Sequence, residues 1–297
     1  MKRISIIFAL LLLSLAALLC SCEKTEAPET SDTTTEAPAP ESSEIEETTL
    51  EVTTEEITTS APETTKEEIS MPKTIRIGSY NIKHAADANL NLNTIAEVIK
   101  AQNLDIVGLQ EVDKRTKRSN YIDQPRMLAE AADMPYYVFV RAIDYQGGQY
   151  GTLILSKYPI VSSEVIPLES WDKEARSLGH AVIDLGGVEL DFFNTHLSFE
   201  DKSLRGLQFL EVAEKTDGCK NYIITGDFNT ADFTEFRVIG GNLINNEIRN
   251  YPTFPSSKSP IDNIVYSDSF KEVSSGYVSR SYSDHCMLWA EFEISGQ

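Results

Sequence analysis

Residues 73–297 are predicted to form an α/β fold in which two mixed β-sheets pack face to face, with helices outside. Short β-rich runs outnumber amphipathic segments with helical spacing, and several runs are joined by short turns of Gly and Asp, as at residues 184–187. Such turns join antiparallel neighbours, so a purely parallel order does not fit. No period of 20 to 50 residues repeats, and the length suits one layered α/β domain.

Hydrophobic spacing gives the individual elements of this domain. Strands are expected at residues 74–80, 105–109, 136–141, 151–155, 181–185, 189–194, 222–225, 261–266 and 286–294. Helices are expected at residues 92–101, 124–132 and 203–214. Asp201 precedes the last of these helices and is expected to cap it.

The first 21 residues are predicted to be an export signal. Lys2 and Arg3 precede an apolar run at residues 4–19, which is shorter than the roughly 20 residues that a membrane-spanning helix needs. Residues 19–22, Leu-Cys-Ser-Cys, resemble a bacterial lipobox, which implies cleavage before Cys22 and diacylglycerol on its thiol. Cys20 is the weaker candidate, and an ordinary signal peptide is the alternative. The expected location is extracytoplasmic, lipid-anchored to the bacterial cell membrane.

Residues 22–72 are predicted to be a disordered acidic linker rich in Thr, Glu and Pro. From residue 23 onward this segment has 15 acidic residues, two lysines and no aromatic residue. It cannot bury enough apolar surface to offset the entropy lost on ordering. About fifty flexible residues span roughly 40 Å on average, which suits a spacer between a membrane and a domain.

The folded part is also acidic, with 31 acidic against 22 basic residues. An acidic domain without a basic run is a poor electrostatic match for a polyanion, so duplex DNA is disfavoured as a partner. The cysteines of this part, Cys219 and Cys286, are expected to be separate buried thiols, with a disulfide as the alternative. We expect a monomer.

Acidic, amide and imidazole side chains stand where apolar runs end or begin. Asn81, Glu111, His196 and the pair Asp227 and Asn229 close runs, whereas Asp262 and the pair Asp284 and His285 open runs. If these runs pair in one sheet, antiparallel partners bring all these polar ends to the same rim. Such a set of oxygens and imidazoles is suited to a hard cation and a phosphate group.

Each polar motif has a chemical and a structural interpretation. Glu111 suits Mg²⁺, which is held by one or two carboxylates, but a strand-end glutamate is more often a surface or salt-bridge residue. Asp227 and Asn229 can orient a water and contact a phosphoryl oxygen, or simply build an Asx turn. His285 can stabilise charge with Asp262 orienting its far nitrogen, although a lone histidine is more often structural.

In this order, the motifs resemble the endonuclease/exonuclease/phosphatase superfamily, the DNase I-like metal-dependent phosphohydrolases. The resemblance extends over about residues 73–293 and implies a DNase I-like four-layer sandwich. The motifs that carry it are Ser79-Tyr80-Asn81-Ile82, Leu109-Gln110-Glu111-Val112, Leu153-Ile154-Leu155-Ser156-Lys157-Tyr158-Pro159, Asn194-Thr195-His196-Leu197, Gly226-Asp227-Phe228-Asn229, Ile261-Asp262 and Ser283-Asp284-His285.

The resemblance implies a metal site and a catalytic set. Glu111 would bind the principal Mg²⁺ or Mn²⁺, with Asn81 and Asp284 beside it or linked through waters. In the catalytic set, Asp227 would be the general base that orients the attacking water, and Asn229 would contact the scissile phosphate. His285, held by Asp262, would stabilise charge on the phosphate. His196 would contact another phosphate oxygen.

Two more residues are candidates for binding substrate. Arg176 is a candidate phosphate clamp, because Arg can engage phosphate with two hydrogen bonds, and a surface salt bridge with Glu174 is the equal alternative. Tyr150 is expected to line the cleft.

The substrate is constrained by departures from the family patterns. DNase-type members have an arginine where this chain has Asp113, which counts against duplex DNA. Inositol polyphosphate 5-phosphatases have an aromatic residue and an arginine where this chain has Thr230 and Ala231. Arg115 and Arg118 are expected to lie in a solvated loop, with contact to a substrate phosphate as the alternative.

The expected function is divalent-metal-dependent hydrolysis of a phosphodiester of a lipid, sugar or nucleotide outside the cytoplasm. Two alternatives remain: an extracellular nuclease, and a non-catalytic surface binding protein on the same fold.

Overall fold

Alternating side chains along the first strand place it between two apolar layers. Ile75 and Ile77 point to one side of strand Thr74–Asn81 and Tyr80 to the other, as strand geometry requires. The computed structural model describes residues 71–279 and 282–294, all of which lie in the compact unit Thr64–Gln297. These residues contain two six-stranded sheets.

The two sheets are both mixed. Sheet A consists of β1 (Thr74–Asn81), β2 (Ile106–Lys114), β3 (Tyr136–Tyr145), β4 (Gly148–Ser156), β11 (Phe270–Val278) and β12 (Met287–Ile294), and sheet B of β5 (Ile160–Leu168), β6 (Arg176–Asp184), β7 (Glu189–His196), β8 (Tyr222–Asp227), β9 (Asn242–Leu243) and β10 (Asp262–Tyr266). Their spatial orders are β11-β12-β1-β2-β4-β3 and β5-β6-β7-β8-β10-β9. Strand β1 is parallel to β2 and antiparallel to β12, and β8 is parallel to β7 and antiparallel to β10.

The helices begin at polar caps. The described residues contain α1 (Leu92–Ala101), α2 (Gln124–Ala131) and α3 (Lys202–Thr216), and short 3-10 helices at Lys83–Ala85, Lys117–Ser119 and Phe233–Val238. Helix α3 begins where the Asp201 carboxylate accepts hydrogen bonds from the backbone N–H groups of Ser203 and Leu204, so the predicted cap is confirmed. Within the described part of the chain, none of the helices combines the length and hydrophobicity needed to cross a bilayer.

Three buried apolar clusters define four layers. One lies between the sheets and includes Ile77, Phe192 and Ile223. A second packs α1 and α2 on the outer face of sheet A, where Ile95 contributes. A third packs α3 on the outer face of sheet B, where Phe209 contributes. The predicted DNase I-like α/β sandwich is therefore confirmed.

The layer between the sheets changes from apolar to polar along the strands. The inward positions of β1 pass from Ile77 to Ser79 and Asn81, and those of β8 pass from Ile223 to Asp227. All of these residues are buried. Because buried polar groups need hydrogen-bond partners, each sheet must provide partners for the polar groups of the other across the layer between them.

Asn194 makes several of the hydrogen bonds that cross this layer. Its Nδ2 donates from sheet B to the carbonyl oxygens of Leu109 (3.0 Å) and Leu153 (3.1 Å) in sheet A. Its Oδ1 accepts from Gln110 Nε2 (2.7 Å) and Thr225 Oγ1 (3.1 Å). These bonds fix the spacing of the sheets next to the polar rim.

The predicted elements agree with the observed ones where the hydrophobic pattern is strong. Three strands of the structure were not predicted: β5, β9 and β11. Most residues of β5 and β11 are exposed or half-buried, and β9 has only two residues, so an apolar alternation is missing there. Strand β2 also continues past its predicted end to Lys114.

Several predictions concern residues that the structure does not describe. The signal peptide at residues 1–21, the lipidation site Cys22 and all but the last two residues of the linker lie outside the described residues. Cys286 is buried, as expected. Cys219 was also expected to be buried, but this free thiol is partly exposed.

Candidate active site

Strand topology brings the predicted polar residues to one rim, but they come from two facing sheets and not from one sheet as predicted. Parallel β1 and β2 end at the same edge of sheet A, and β12 begins there because it runs antiparallel to β1. In sheet B, Asp227 at the end of β8 pairs in register with His196 of β7 and Asp262 of β10. Every residue predicted for the site lies at this rim or in the cleft beside it.

His285 is held between two carboxylates. Its Nδ1 donates to Asp262 Oδ2 at 2.9 Å, and its Nε2 lies 3.6 Å from Asp227 Oδ2. Burial lowers the pKa of His285, but the Asp262 and Asp227 carboxylates outweigh burial and raise that pKa to about 10. The two carboxylates therefore favour the charged form of the imidazole, and the hydrogen bond to Asp262 fixes the orientation of the ring.

Asp227 is the centre of the site. Its Oδ2 accepts a hydrogen bond from Asn81 Nδ2 at 3.0 Å. The same oxygen faces the imidazole of His285 and that of His196, and the Nε2 of His196 lies 3.5 Å from it. Burial raises the pKa of Asp227 to about 7, although His285 and Asn81 oppose this rise. Such a carboxylate accepts a proton more readily than an exposed one.

Asn81 connects the two sheets at the rim. Its Nδ2 donates to Glu111 Oε1 and to Asp227 Oδ2, both at 3.0 Å, while its Oδ1 accepts from the backbone N–H of Lys83. The amide nitrogen, and not the amide oxygen, therefore faces the two acids. In this orientation Asn81 positions both carboxylates, and its predicted role as a metal ligand remains a prediction.

Glu111 lies at a bulge in β2 and not at the strand's end. The pairing of β2 with β4 shifts register between Leu109 and Val112, and Glu111 has a φ of 55°. A non-glycine residue in a sparsely populated region of this kind costs roughly 1–3 kcal/mol and is often found at functional sites. The bulge releases Glu111 from the alternation of the strand, so that its carboxylate lines the cleft.

Asp284 and Lys83 form the outer part of the rim. Lys83 Nζ lies 3.2 Å from Asp284 Oδ2, and Ser283 Oγ donates to the Asn81 carbonyl at 2.7 Å, which ties the start of β12 to the end of β1. Lys83 was not among the residues predicted for the site. Its position two residues after Asn81 was a weak signal, because its partner Asp284 is distant in the chain.

His196 and Asn229 complete the floor of the cleft. Burial and then the Arg176 charge lower the pKa of His196 well below its ordinary value, so its ring is neutral. Asn229 has a φ of 52° and donates from Nδ2 to the Leu197 carbonyl at 2.9 Å. Its side chain therefore shares its donors between the protein and the cleft.

The floor opens into a cleft of about 590 Å³. Arg176 and Tyr150 both line it, as predicted. Arg176 also makes the alternative salt bridge, with its Nη1 3.1 Å from Glu174 Oε1, and its buried Nε has no hydrogen-bond partner among the described residues. Phe254 and Phe199 form part of the opposite wall.

Arg118 also lines the cleft, contrary to the expectation of a solvated loop. It is half-buried, and its guanidinium donates from Nε and Nη2 to the two oxygens of Asp113, both at 2.8 Å. Arg115, by contrast, is exposed and pairs with Asp123. The sequence contained the Asp113 partner, but nothing in its spacing showed that this carboxylate would be buried.

A divalent cation fits the donor set at Glu111. Burial raises the pKa of Glu111, and the Asn81 hydrogen bond only partly opposes this rise, so a cation would stabilise the charged carboxylate. Carboxylate oxygens are the ligands that Mg²⁺ and Mn²⁺ prefer. Asp227, Asp262 and His285 also have ligand atoms within 4.8 Å of one another.

The chain belongs to the Endonuclease/Exonuclease/phosphatase family, whose sequence model matches residues 78–285. The sequence-based resemblance is thereby confirmed. An endonuclease/exonuclease/phosphatase structure from Beutenbergia cavernae is 23% identical with a TM-score of 0.67, covering 76% of this chain and 72% of that one.

Other solved structures share the phosphoesterase-type fold. A mannosyl-6-phosphatase from Bacteroides thetaiotaomicron is 20% identical with a TM-score of 0.55, over 74% of this chain and all of that chain (100%). TDP2 from D. rerio, solved with a single-strand DNA product, is 19% identical with a TM-score of 0.59, over 75% of this chain and 100% of that chain.

A curated relative is much longer than this chain. Protein cwh43 of Schizosaccharomyces pombe is 30% identical over 145 residues, which are 47% of this chain and 14% of that protein. The similarity thus concerns a small part of the relative's length.

Proposed function

We propose that this protein is a divalent-metal-dependent phosphoester hydrolase that acts on phosphodiesters outside the cytoplasm. One observation carries the proposal: the buried Asp227 carboxylate faces His285, His196 and Asn81 at the floor of a cleft that Glu111 also lines. Hydrolysis of a phosphoester requires mainly positioning and neutralisation of charge, and this set of groups is suited to both.

In the proposed mechanism, Asp227 orients the attacking water and accepts its proton, for which its raised pKa is suited. The His285 imidazolium, fixed by Asp262, stabilises negative charge on a phosphoryl oxygen. Asn229 and neutral His196 hold other phosphoryl oxygens, and Arg176 adds a guanidinium at the wall. Mg²⁺ or Mn²⁺ bound at Glu111, with Asp284 beside it, would supply further positive charge to the phosphoryl group.

The test of this function is cleavage of bis-p-nitrophenyl phosphate with Mg²⁺ or Mn²⁺. We expect metal-dependent release of p-nitrophenolate, and a fall of roughly 10²- to 10⁴-fold in kcat for Asp227→Ala, because a general base contributes about that much. Glu97→Gln, on the exposed face of α1, is the matched control and should match the wild type. A rate that is independent of metal, or an unchanged Asp227→Ala variant, would refute the proposal.

The proposed location depends on lipidation at Cys22. In a bacterial host, we expect Cys22→Ser to lose incorporation of a labelled fatty acid and to move from the membrane fraction to the soluble fraction, since acyl chains supply the anchor. Cys20→Ser is the matched control and should keep both label and membrane association. The opposite result would show that Cys20 is the acylated residue.

A further inference from the structure

The wall of the cleft formed by sheet A contains an arginine that is fixed in place. Arg118 belongs to the 3-10 helix Lys117–Ser119, and both oxygens of fully buried Asp113 accept from its guanidinium. Asp113 is itself held by the hydroxyls of Thr116 (2.7 Å) and Ser119. A guanidinium held by two hydrogen bonds to one carboxylate keeps a single orientation.

Aromatic rings fix the same guanidinium from another side. The Arg118 Cζ lies 4.6 Å from the ring centroid of Tyr145 and 5.1 Å from that of Tyr150. Tyr150 is paired in register with Asp113 across β2 and β4, so the carboxylate and the ring are neighbours in sheet A. Arg118, Tyr145, Tyr150 and Ile143 all line the cleft whose floor contains Asp227, and we call these four residues the Arg118 wall.

The charge of the Arg118 wall is balanced. Asp113 offsets Arg118, and Glu174 offsets Arg176 beside it. A second anionic group of a substrate would therefore find little net positive charge. The guanidinium has five N–H donors, and two of them are used by Asp113, so donors remain for neutral acceptor oxygens.

Burial raises the pKa of the Tyr150 hydroxyl, which stays protonated and able to donate or accept a hydrogen bond. The wall thus combines fixed donors, a hydroxyl and apolar ring surface without net charge. A ring that carries several hydroxyl groups matches this combination, since its oxygens accept hydrogen bonds and its C–H groups pack on apolar surface.

We propose that the Arg118 wall is the subsite for the alcohol part of the substrate, and that it binds a polyhydroxylated ring of the kind found in a sugar phosphate. This inference rests on the proposed function, because it places the phosphate on the floor at Asp227. Arg118 contacts the hydroxyl groups of the ring, and Asp113 is a positioning residue for Arg118.

The test compares two phosphate monoesters that differ only in the oxygen atom within the ring and in the hydroxyl groups on the ring. Binding of glucose 6-phosphate and of cyclohexylmethyl phosphate is measured by calorimetry with Mg²⁺, using the full chain with Asp227→Asn so that neither ester is turned over. We expect glucose 6-phosphate to bind about 10-fold or more tightly, because a site built to donate to hydroxyl groups discriminates against an analogue without them. Glucose 1,6-bisphosphate should bind no more than a few-fold more tightly than the monophosphate.

The variant that removes the subsite is Asp113→Asn combined with Arg118→Met, which keeps the buried pair neutral and the Arg118 stem in place. With a thermal melt close to that of its parent, it should bind both esters with the affinity that the parent has for cyclohexylmethyl phosphate. Arg126→Met, on the exposed face of α2, is the matched control and should keep the preference.

Three results would overturn the inference. The first is a parent protein without a preference for the hydroxylated ester, including one that binds neither ester. The second is a preference that persists in the double variant. The third is an affinity for the bisphosphate at least 10-fold higher than for the monophosphate, if the double variant loses this gain. The last would show that the wall binds a second anion. Turnover of bis-p-nitrophenyl phosphate by the unmodified protein reports the proposed function separately, so the two failures are distinguishable.

Discussion

At the scale of single residues, the site depends on one amide that serves two acids. Asn81 donates to both half-buried Glu111 and buried Asp227, which come from different sheets, and so holds the two carboxylates at a fixed separation. Two carboxylates that share one donor, one of them buried and the other half-buried, repel each other unless donors or cations lie between them. The amide is therefore part of the electrostatic design of the site as well as of its packing.

Removal of this amide should affect both activity and stability. We expect Asn81→Ala to lower kcat/KM for bis-p-nitrophenyl phosphate roughly 100-fold, because a small displacement of catalytic groups has effects of that size. It should also lower the free energy of unfolding by about 1–3 kcal/mol, since the buried Asp227 and the half-buried Glu111 both lose a donor. Both quantities are measured by steady-state kinetics and urea unfolding. Asn93→Ala, exposed on α1, should change neither, and a fully active Asn81→Ala would contradict this role.

At the scale of elements, β2 carries both the Glu111 bulge and a close approach of the two sheets. Gly108 faces sheet B, and a Cβ added there would lie 2.0 Å from Thr225 Oγ1 and 2.5 Å from Asn194 Oδ1. Three residues further along, Glu111 leaves the regular strand geometry. The contact at Gly108 therefore sets how near the Glu111 bulge lies to Asp227.

A methyl group at this contact should push the sheets apart. We expect Gly108→Ala to destabilise the fold by about 1–3 kcal/mol through overpacking, and to lower activity because the acids of the two sheets separate. Gly206→Ala is the matched control: its Cβ meets no atom within 4 Å in α3, so it should be neutral or stabilising by up to about 1 kcal/mol. Thermal melts and turnover assays measure both effects, and a Gly108→Ala protein as stable as the wild type would show that the sheets adjust freely.

At the scale of the whole molecule, the sequence predicted what lies on the rim but not how it is connected. Polar residues at the ends of apolar runs were visible, and antiparallel pairing of these runs was expected to bring them together, although in one sheet and not in two. The contact of Asn81 with Asp227 joins residues 146 positions apart and crosses between sheets, so local spacing could not reveal it. Arg118 was misjudged for the same reason, because its environment depends on the burial of Asp113 and on two tyrosines from other strands.

Edge strands show the same limit in the fold itself. Strands β5 and β11 stand at the outer edges of their sheets, where the backbone pairs on one side only and exposed polar residues are tolerated. Their sequences therefore lack the hydrophobic alternation that marked β1 and β8. The central strands, which are buried on both faces and carry the site, were predictable because burial constrains their composition.

The most direct test of the account is the dependence of bis-p-nitrophenyl phosphate hydrolysis on Mg²⁺ concentration in the wild type and in Glu111→Gln. We expect a saturable rise of the rate with Mg²⁺ concentration for the wild type. For Glu111→Gln we expect a half-saturating concentration at least about 10-fold higher, because the carboxylate proposed to bind the ion is lost. Identical Mg²⁺ dependence in the two proteins would contradict a metal site at Glu111, and with it the proposed chemistry of this cleft.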